Sequence, residues 1–258
     1  KNMLNIIDQI KKISITESRI FINGPSGSGK ELVARKIHKN SNRSKKPFII
    51  LNGALLDANK YELELFGEEK INGSISYGAL EKANKGTLMI DQVSEIPLAI
   101  QSKILRVLTD QKFKRINGQH DINVNVRIIC STNKDLSYEI QIGNFREDLF
   151  HRLNVFNIKL DSLNKRINDI PILFEYFMDK LSRIYNIKKI NISDYNFLLN
   201  YEWPGNVREL RNLVERVSIL SVNENKVNIN DLVQDALSQR SFKSNQDTYS
   251  NVLSYPLK

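Results

Sequence analysis

Between Ser18 and about Leu160 the chain alternates short, nearly unbroken apolar runs with stretches in which apolar residues recur at helical spacing. The runs are Arg19-Ile20-Phe21-Ile22, Pro47-Phe48-Ile49-Ile50-Leu51, Thr87-Leu88-Met89-Ile90, Val126-Arg127-Ile128-Ile129 and Val155-Phe156-Asn157-Ile158. A strand that is apolar on both faces suits a parallel sheet covered by helices on both sides. The pattern therefore predicts an α/β layer of about five strands. Beyond Asp169 the strand pattern stops. Apolar residues fall instead at helical intervals, in Ile172, Leu173, Phe177 and Leu181 and again in Val207, Leu210, Val214 and Val217. The predicted organisation is an α/β region over 1–165, a smaller helical region over 166–235, and a Ser-, Gln- and Asn-rich segment over 236–258 that reads as a linker or fraying end. No internal repeat interrupts this order.

Composition narrows the class without naming it. Of 258 residues 41% are hydrophobic, enough for a core and too many for wholesale disorder. No apolar run approaches the ~18 residues of a membrane span, and Lys1-Asn2-Met3 opens no signal peptide, so a soluble, cytoplasmic protein without a membrane partner is expected. The lone Cys130 sits in an apolar run and reads as a small hydrophobe, and three scattered His give no metal-ligand spacing. Lys and Arg number 38 against 29 Asp and Glu, a formal charge of +9. The basic residues are dispersed as Lys11-Lys12, Arg43 to Lys46 and Lys188-Lys189, without a basic helix or interleaved aromatics. They read as a solvated surface, with DNA recognition left to a domain outside this chain.

The chemistry is concentrated in Gly24-Pro25-Ser26-Gly27-Ser28-Gly29-Lys30-Glu31, which follows the first strand and opens a helical pattern at Leu32, Val33, Ala34 and Ile37. Glycines let the chain turn and bring backbone N–H groups against phosphate oxygens; Lys30 adds a point charge, and the helix N-terminus adds its positive end. A glycine-rich turn with no ligand is the plainer alternative. At the eighth position Glu31 stands where a magnesium-binding Ser or Thr is usual. A second apolar strand ends in Asp91, the place for a magnesium-holding Walker B carboxylate, with a helix cap or solvated strand end as the alternative. Gln92 follows it. An amide can orient a water but cannot take its proton as a carboxylate does. A GTPase is disfavoured, because Asn133-Lys134-Asp135 is one residue short of the guanine-reading motif and no Gly lies three positions after Asp91.

Taken together, GPSGSGKELVARKIH (24 to 38), ELFGEEK (64 to 70), KGTLMID (85 to 91), KILRVLTDQKF (103 to 113), FREDLFHRLNVF (145 to 156) and WPGNVREL (203 to 210) resemble the sigma-54-interacting AAA+ domain of bacterial enhancer-binding transcription regulators. The resemblance covers nearly the whole chain to about residue 235, and Glu31 is the residue this family shows at the eighth P-loop position. It implies a P-loop AAA+ fold with a helical lid. It further implies that Gly24 to Glu31 hold ATP, that Asp91 holds Mg²⁺, and that Thr132 with Asn133 form the sensor after the fourth strand. Asn52 would be the switch partner of the Walker B acid, Arg146 and Arg152 the fingers that reach a neighbour's γ-phosphate in a ring-type homo-oligomer, and Arg208 the lid sensor. On a continuous helix Arg146 and Arg152 would point roughly 120° apart, so either the helix begins irregularly at Arg146 or only one of them meets a phosphate. Pairing with Glu147 or Asp148 is the alternative role for Arg146. Asn206 with Glu209 resembles a capping box that sets Arg208 in the first turn of a lid helix.

Two features depart from the family pattern. Activators of sigma-54 RNA polymerase carry a GAFTGA loop just after the segment matching Glu68-Glu69-Lys70. Here Ile71-Asn72-Gly73-Ser74-Ile75-Ser76-Tyr77-Gly78 is shorter and lacks that signature. Gln92 replaces the hydrolytic Glu. The short loop, Gly78-Ala79-Leu80-Glu81 and Asp110-Gln111 are most similar to the NtrX type of nitrogen-related response regulator. This branch implies a receiver domain answering a sensor histidine kinase, a helix-turn-helix that binds DNA, both outside this chain, and no sigma-54 contact through the loop. The expected function is an ATP-dependent assembly switch, with an ATPase motor that remodels RNA polymerase at promoters as the rival.

Overall fold

The structure, a computed structural model, describes residues 2–55, 57–185 and 195–220. The chain divides into two compact units, the first ending at Leu160 and the second beginning at Asp161. In the first unit, helix α1 (Asn2–Ser14) precedes β1 (Ile20–Asn23), α2 (Lys30–Lys39), β2 (Phe48–Asn52), α3 (Ala58–Phe66) and the short hairpin β3 (Gly67–Glu69) and β4 (Ile75–Tyr77). There follow α4 (Ala79–Lys82), β5 (Thr87–Asp91), α5 (Leu98–Asp110) and a second hairpin, β6 (Lys112–Phe113) and β7 (Ile122–Asn123). β8 (Arg127–Thr132), α6 (Leu136–Gln141), α7 (Glu147–Leu153) and β9 (Phe156–Lys159) complete the unit.

The five apolar runs become one parallel sheet in the order β2-β5-β8-β1-β9. Alternation along each strand splits the core in two, because successive side chains point to opposite faces. Phe21, Leu88, Ile90, Ile128 and Cys130 pack with Leu65, Ile100, Ile104 and Leu149 on one face. Ile20, Ile22, Met89, Ile129 and Ile158 pack on the other with Ile6, Ile10 and Ile13 of α1 and Ala34 and Ile37 of α2. Each such Leu, Ile, Phe or Met side chain stabilises the fold by about 1.5 to 3 kcal/mol on full burial. Burial pushes the Cys130 thiol well up, so it stays protonated and packs as a hydrophobe.

One charge is built into this core. Arg127, only 2% exposed at the start of β8, donates to the carbonyls of Ile13 (2.7 Å), Ser14 (2.9 Å) and Ser18 (3.4 Å). It thereby caps the C-terminal end of α1, where carbonyls lack intrahelical partners and a cation meets the negative end of the helix dipole.

The second unit packs α8 (Asp169–Tyr185), the one-turn α9 (Asn196–Leu199) and α10 (Asn206–Leu220) around Phe174, Met178, Trp203, Leu210, Val214 and Val217. Trp203 is buried and satisfies its indole N–H on the Leu198 carbonyl at 2.8 Å. The apolar face of α8 runs through Ile170, Phe174, Met178 and Leu181, which leaves Ile172 69% exposed, contrary to the periodicity read from the sequence. The cap of α10 also differs from expectation. Glu209 accepts the Gly205 N–H at 2.8 Å, while the Asn206 side chain accepts the Leu163 N–H at 2.8 Å. The segment 236–258 and Lys188-Lys189 lie outside the described residues. Among the described residues no helix is long and apolar enough to cross a membrane.

Candidate functional site

The predicted phosphate loop leaves β1 at the C-terminal edge of the sheet, where parallel α/β sheets bind ligands. Its entry is tightly packed. A Cβ on Gly24 would lie 2.7 Å from the Leu160 carbonyl oxygen, and the Gly24 N–H donates to the Thr132 carbonyl at 3.2 Å. Gly27 (φ 73°) and Gly29 (φ 105°) adopt backbone that L side chains rarely take, and a Cβ at Gly29 would meet nothing within 4 Å. Lys30 opens α2 and lays its ammonium across the loop, donating to the Gly24 (2.8 Å) and Pro25 (3.0 Å) carbonyls. The result is a cradle of backbone with a cation and a helix N-terminus at its rim. Glu31 points outward and pairs with Arg35 at 2.7 Å.

Asp91 and Asn52 are register partners at the ends of β5 and β2. Asp91 Oδ1 accepts the Ser131 hydroxyl and the Gln92 N–H (3.1 Å), while Oδ2 accepts from no described residue. The Asn52 side chain accepts the Ala54 N–H at 3.0 Å instead of reaching Asp91. Gln92 has left-handed backbone (φ 56°, ψ 52°), and a Cβ on Gly53 would stand 2.6 Å from its carbonyl oxygen. That approach brings 52–53 and 91–92 side by side. At the end of β8, Thr132 is buried and its hydroxyl shares a hydrogen with Ser94 (2.9 Å), while Asn133 is exposed. Lys134 pairs with Glu95 (2.9 Å) and Glu139 (3.7 Å), and the Glu95 bond holds its ammonium above the usual range.

Arg146 stands just before α7 with extended backbone, so the two finger candidates do not share one helix. Its N–H donates to the side-chain oxygen of Gln101 at 2.9 Å. Gln101 is fully buried and also donates to the Ile96 (2.8 Å) and Asn144 (3.0 Å) carbonyls, anchoring the segment before α7. The Arg146 guanidinium pairs with Asp148 through two bonds, at 3.0 and 2.7 Å. These hold Asp148 below the ordinary carboxylate range. Arg152, in the last turn of α7, is exposed, and no carboxylate among the described residues pairs with it. Arg208 is exposed in the first turn of α10. Ser131 and Gln101 are the polar residues that sequence reading missed.

Residues 1–159 match the family described as the Sigma-54 interaction domain, and residues 164–249 match the AAA+ ATPase lid domain. The chain belongs to the sigma-54 interaction domain family. It is 43% identical over 225 residues to the regulatory protein AtoC of Escherichia coli, covering 85% of this chain and 49% of that protein. It is equally identical over 224 residues to the nitrogen assimilation regulatory protein NtrX of Azorhizobium caulinodans, covering 84% and 49%. The crystal structure of NtrX from Brucella abortus in complex with ATP superposes with a TM-score of 0.84 at 43% identity, covering 90% of this chain and 54% of that one. The fold is thus the P-loop AAA+ fold of the NtrX structures, with the expected five-stranded sheet. The chain spans about half the length of the curated relatives it matches.

In this sigma-54 interaction domain the segment after Glu68-Glu69 forms a compact hairpin. β3 and β4 pair antiparallel, and the tip closes through Lys70 N–H to the Ser74 carbonyl (2.9 Å) and Gly73 N–H to the Lys70 carbonyl (2.8 Å). Ile71 at the tip is fully exposed. Arg115 ties this hairpin to the next, donating to Glu69 (2.8 Å) and to both oxygens of Glu81 (2.8 and 2.6 Å) and lying 5.5 Å from the Tyr77 ring centre.

Proposed function

We propose that the chain is the ATP-binding AAA+ module of a two-component, sigma-54-activator-like transcription regulator of the NtrX type, which acts through nucleotide-dependent oligomerisation. The observation that carries this reading is the cradle at Gly24–Lys30 together with Asp91 at the end of β5, whose Oδ2 accepts from no described residue and would face a cation. Loop N–H groups and Lys30 would hold the phosphates of ATP. Among the described residues no three carboxylate, imidazole or thiol groups converge. A magnesium ion would therefore rest on Asp91 and the nucleotide's own oxygens, supplying charge neutralisation at the phosphates. Gln92 would orient water without accepting its proton, so turnover is slow. The exposed Arg152, paired with no carboxylate among the described residues, suits a finger offered to a neighbouring subunit, and Arg146 would have to leave Asp148 to do the same. A finger and its pocket on different faces give a heterologous, ring-type contact. Thr132 and Asn133 would sense the γ-phosphate, with Asn52 as switch partner and Arg208 as lid sensor. In the whole regulator a receiver domain would answer a sensor kinase, and a helix-turn-helix would bind DNA. The short hairpin, without a GAFTGA signature, argues against sigma-54 contact. The ATPase-motor reading retains the support of Arg152.

Calorimetry with Mg-ATP tests the nucleotide site. Charge-assisted contacts are worth about 1.5 to 3 kcal/mol, so Lys30→Ala should weaken binding at least about tenfold. Equal affinity for both proteins would remove the assignment.

A further inference from the structure

Two of the basic clusters that look dispersed in sequence, Lys11-Lys12 and Arg43 to Lys46, are gathered by the fold at the N-terminal ends of the strands. Arg43 pairs with Glu17 (2.8 Å) and donates to the carbonyls of Gly86 (2.8 Å) and Asn125 (3.0 Å). The Thr87 N–H donates to the Pro47 carbonyl (2.9 Å) and the Lys85 N–H to that of Asn125 (2.8 Å), while Arg127 holds the carbonyls of Ile13, Ser14 and Ser18. Four segments around residues 11–18, 36–47, 82–87 and 125–127 therefore form one end of the α/β unit. It lies opposite the phosphate loop, a strand length of roughly 15 Å away.

Lys12, Lys36, Lys39, Lys45, Lys46, Lys82 and Lys85 are exposed there, and none makes an ion pair among the described residues. The carboxylate within these segments, Glu17, is engaged by Arg43, and the adjoining Glu81 by Arg115. Lysines in the last turns of α1 and α2 complement helix dipoles. That explanation does not reach Lys45, Lys46 and Lys85, which lie in turns. Lys85 even holds φ at 62°, its backbone fixed by Asn125.

We propose that this basal face binds the sugar-phosphate backbone of duplex DNA without sequence preference, supplementing any recognition made by a separate domain. Duplex DNA carries a negative charge every ~1.7 Å of axis and is held by lysines as point charges. The rings beside this face already carry a guanidinium, Phe48 that of Arg35 at 5.1 Å and Tyr77 that of Arg115 at 5.5 Å, so neither is a free stacking platform for single strands. Ile15 is its lone exposed large apolar residue among those described, too little for membrane insertion.

Fluorescence anisotropy with a labelled random-sequence duplex of about 25 base pairs tests this, on the 258-residue chain across a salt series. Binding should be weak, with Kd near ~10⁻⁴ to 10⁻⁶ M at physiological salt. Lys45→Gln/Lys46→Gln/Lys82→Gln/Lys85→Gln should lose at least about tenfold in affinity at 50 mM salt and flatten the log–log salt slope by up to ~3.6, at ~0.9 per phosphate contact. Lys12→Gln/Lys36→Gln/Lys39→Gln should act in the same direction and stands in if the first variant misfolds. Lys60→Gln/Lys103→Gln should bind as the wild type does. ATP affinity, measured on the same proteins, should not change, so failure here is distinct from failure of the nucleotide site. No duplex binding at 50 mM salt, equal slopes for wild type and the basal variants, or tighter binding to single-stranded RNA or anionic vesicles would overturn the proposal.

Discussion

Replacing Gln101 by Leu removes a fully buried amide while nearly conserving its volume. The amide makes three hydrogen bonds, to Ile96, Asn144 and the Arg146 N–H. At about 0.5 to 1.5 kcal/mol each their loss sums to roughly 1.5 to 4.5 kcal/mol, part of it offset by the better burial of an apolar side chain. The expected net destabilisation is about 2 to 3 kcal/mol, a large share of the 5 to 15 kcal/mol typical of a native protein. Urea unfolding followed by circular dichroism should show the midpoint falling by about 1 M for an m-value of about 2 to 3 kcal/mol/M. A second readout separates positioning from stability. Gln101 does not touch the phosphate loop, so Mg-ATP affinity below the unfolding range should hold, while ATP-promoted oligomerisation should weaken because the segment that presents Arg146 is released. A midpoint shift under about 0.2 M with unchanged assembly would refute the role given to Gln101.

Other perturbations act elsewhere in the fold. Arg127→Met strands the carbonyls of Ile13, Ser14 and Ser18, and should cost about 3 kcal/mol or more in denaturant unfolding and speed hydrogen exchange in the last turn of α1. Burial lowers the pKa of His38, whose Nδ1 shares a hydrogen with Thr87 at 2.9 Å. The unfolded chain takes this proton near 6.5 and the folded one only at lower pH, so stability should fall as pH drops from about 6.5 toward the folded value. His38→Gln should flatten that decline in unfolding curves taken at intervals through this range.

The five strands were legible because their alternate residues feed two cores, which makes the runs nearly continuous. The phosphate loop was legible because its glycines answer a local backbone demand, seen at Gly27 and Gly29. What escaped were polar residues whose partners are distant in sequence. Ser131 reads as part of a strand until it meets Asp91, 40 residues away, and Gln101 reads as an ordinary helix position until Arg146 reaches it. α1 was overlooked although Ile6, Ile10 and Ile13 carry helical spacing. In α8 two apolar registers overlap, and packing around Phe174 and Met178 chose the one that excludes Ile172. The basal lysines went unrecognised as a group because only a parallel sheet, with its strand starts at one end, brings them together.

The claim that a nucleotide is held here but turned over slowly rests on Gln92 following Asp91. The most direct test is the steady-state ATP hydrolysis rate of the wild-type chain beside Gln92→Glu, at saturating Mg-ATP and with binding measured on both. General-base catalysis contributes typically 10²- to 10⁴-fold, so the variant should gain at least ~10-fold from a wild type well below the ordinary range, at similar affinity. Wild-type turnover already at ~1 to 10³ s⁻¹, with no gain from Gln92→Glu, would contradict the account, because another residue would then be supplying the base.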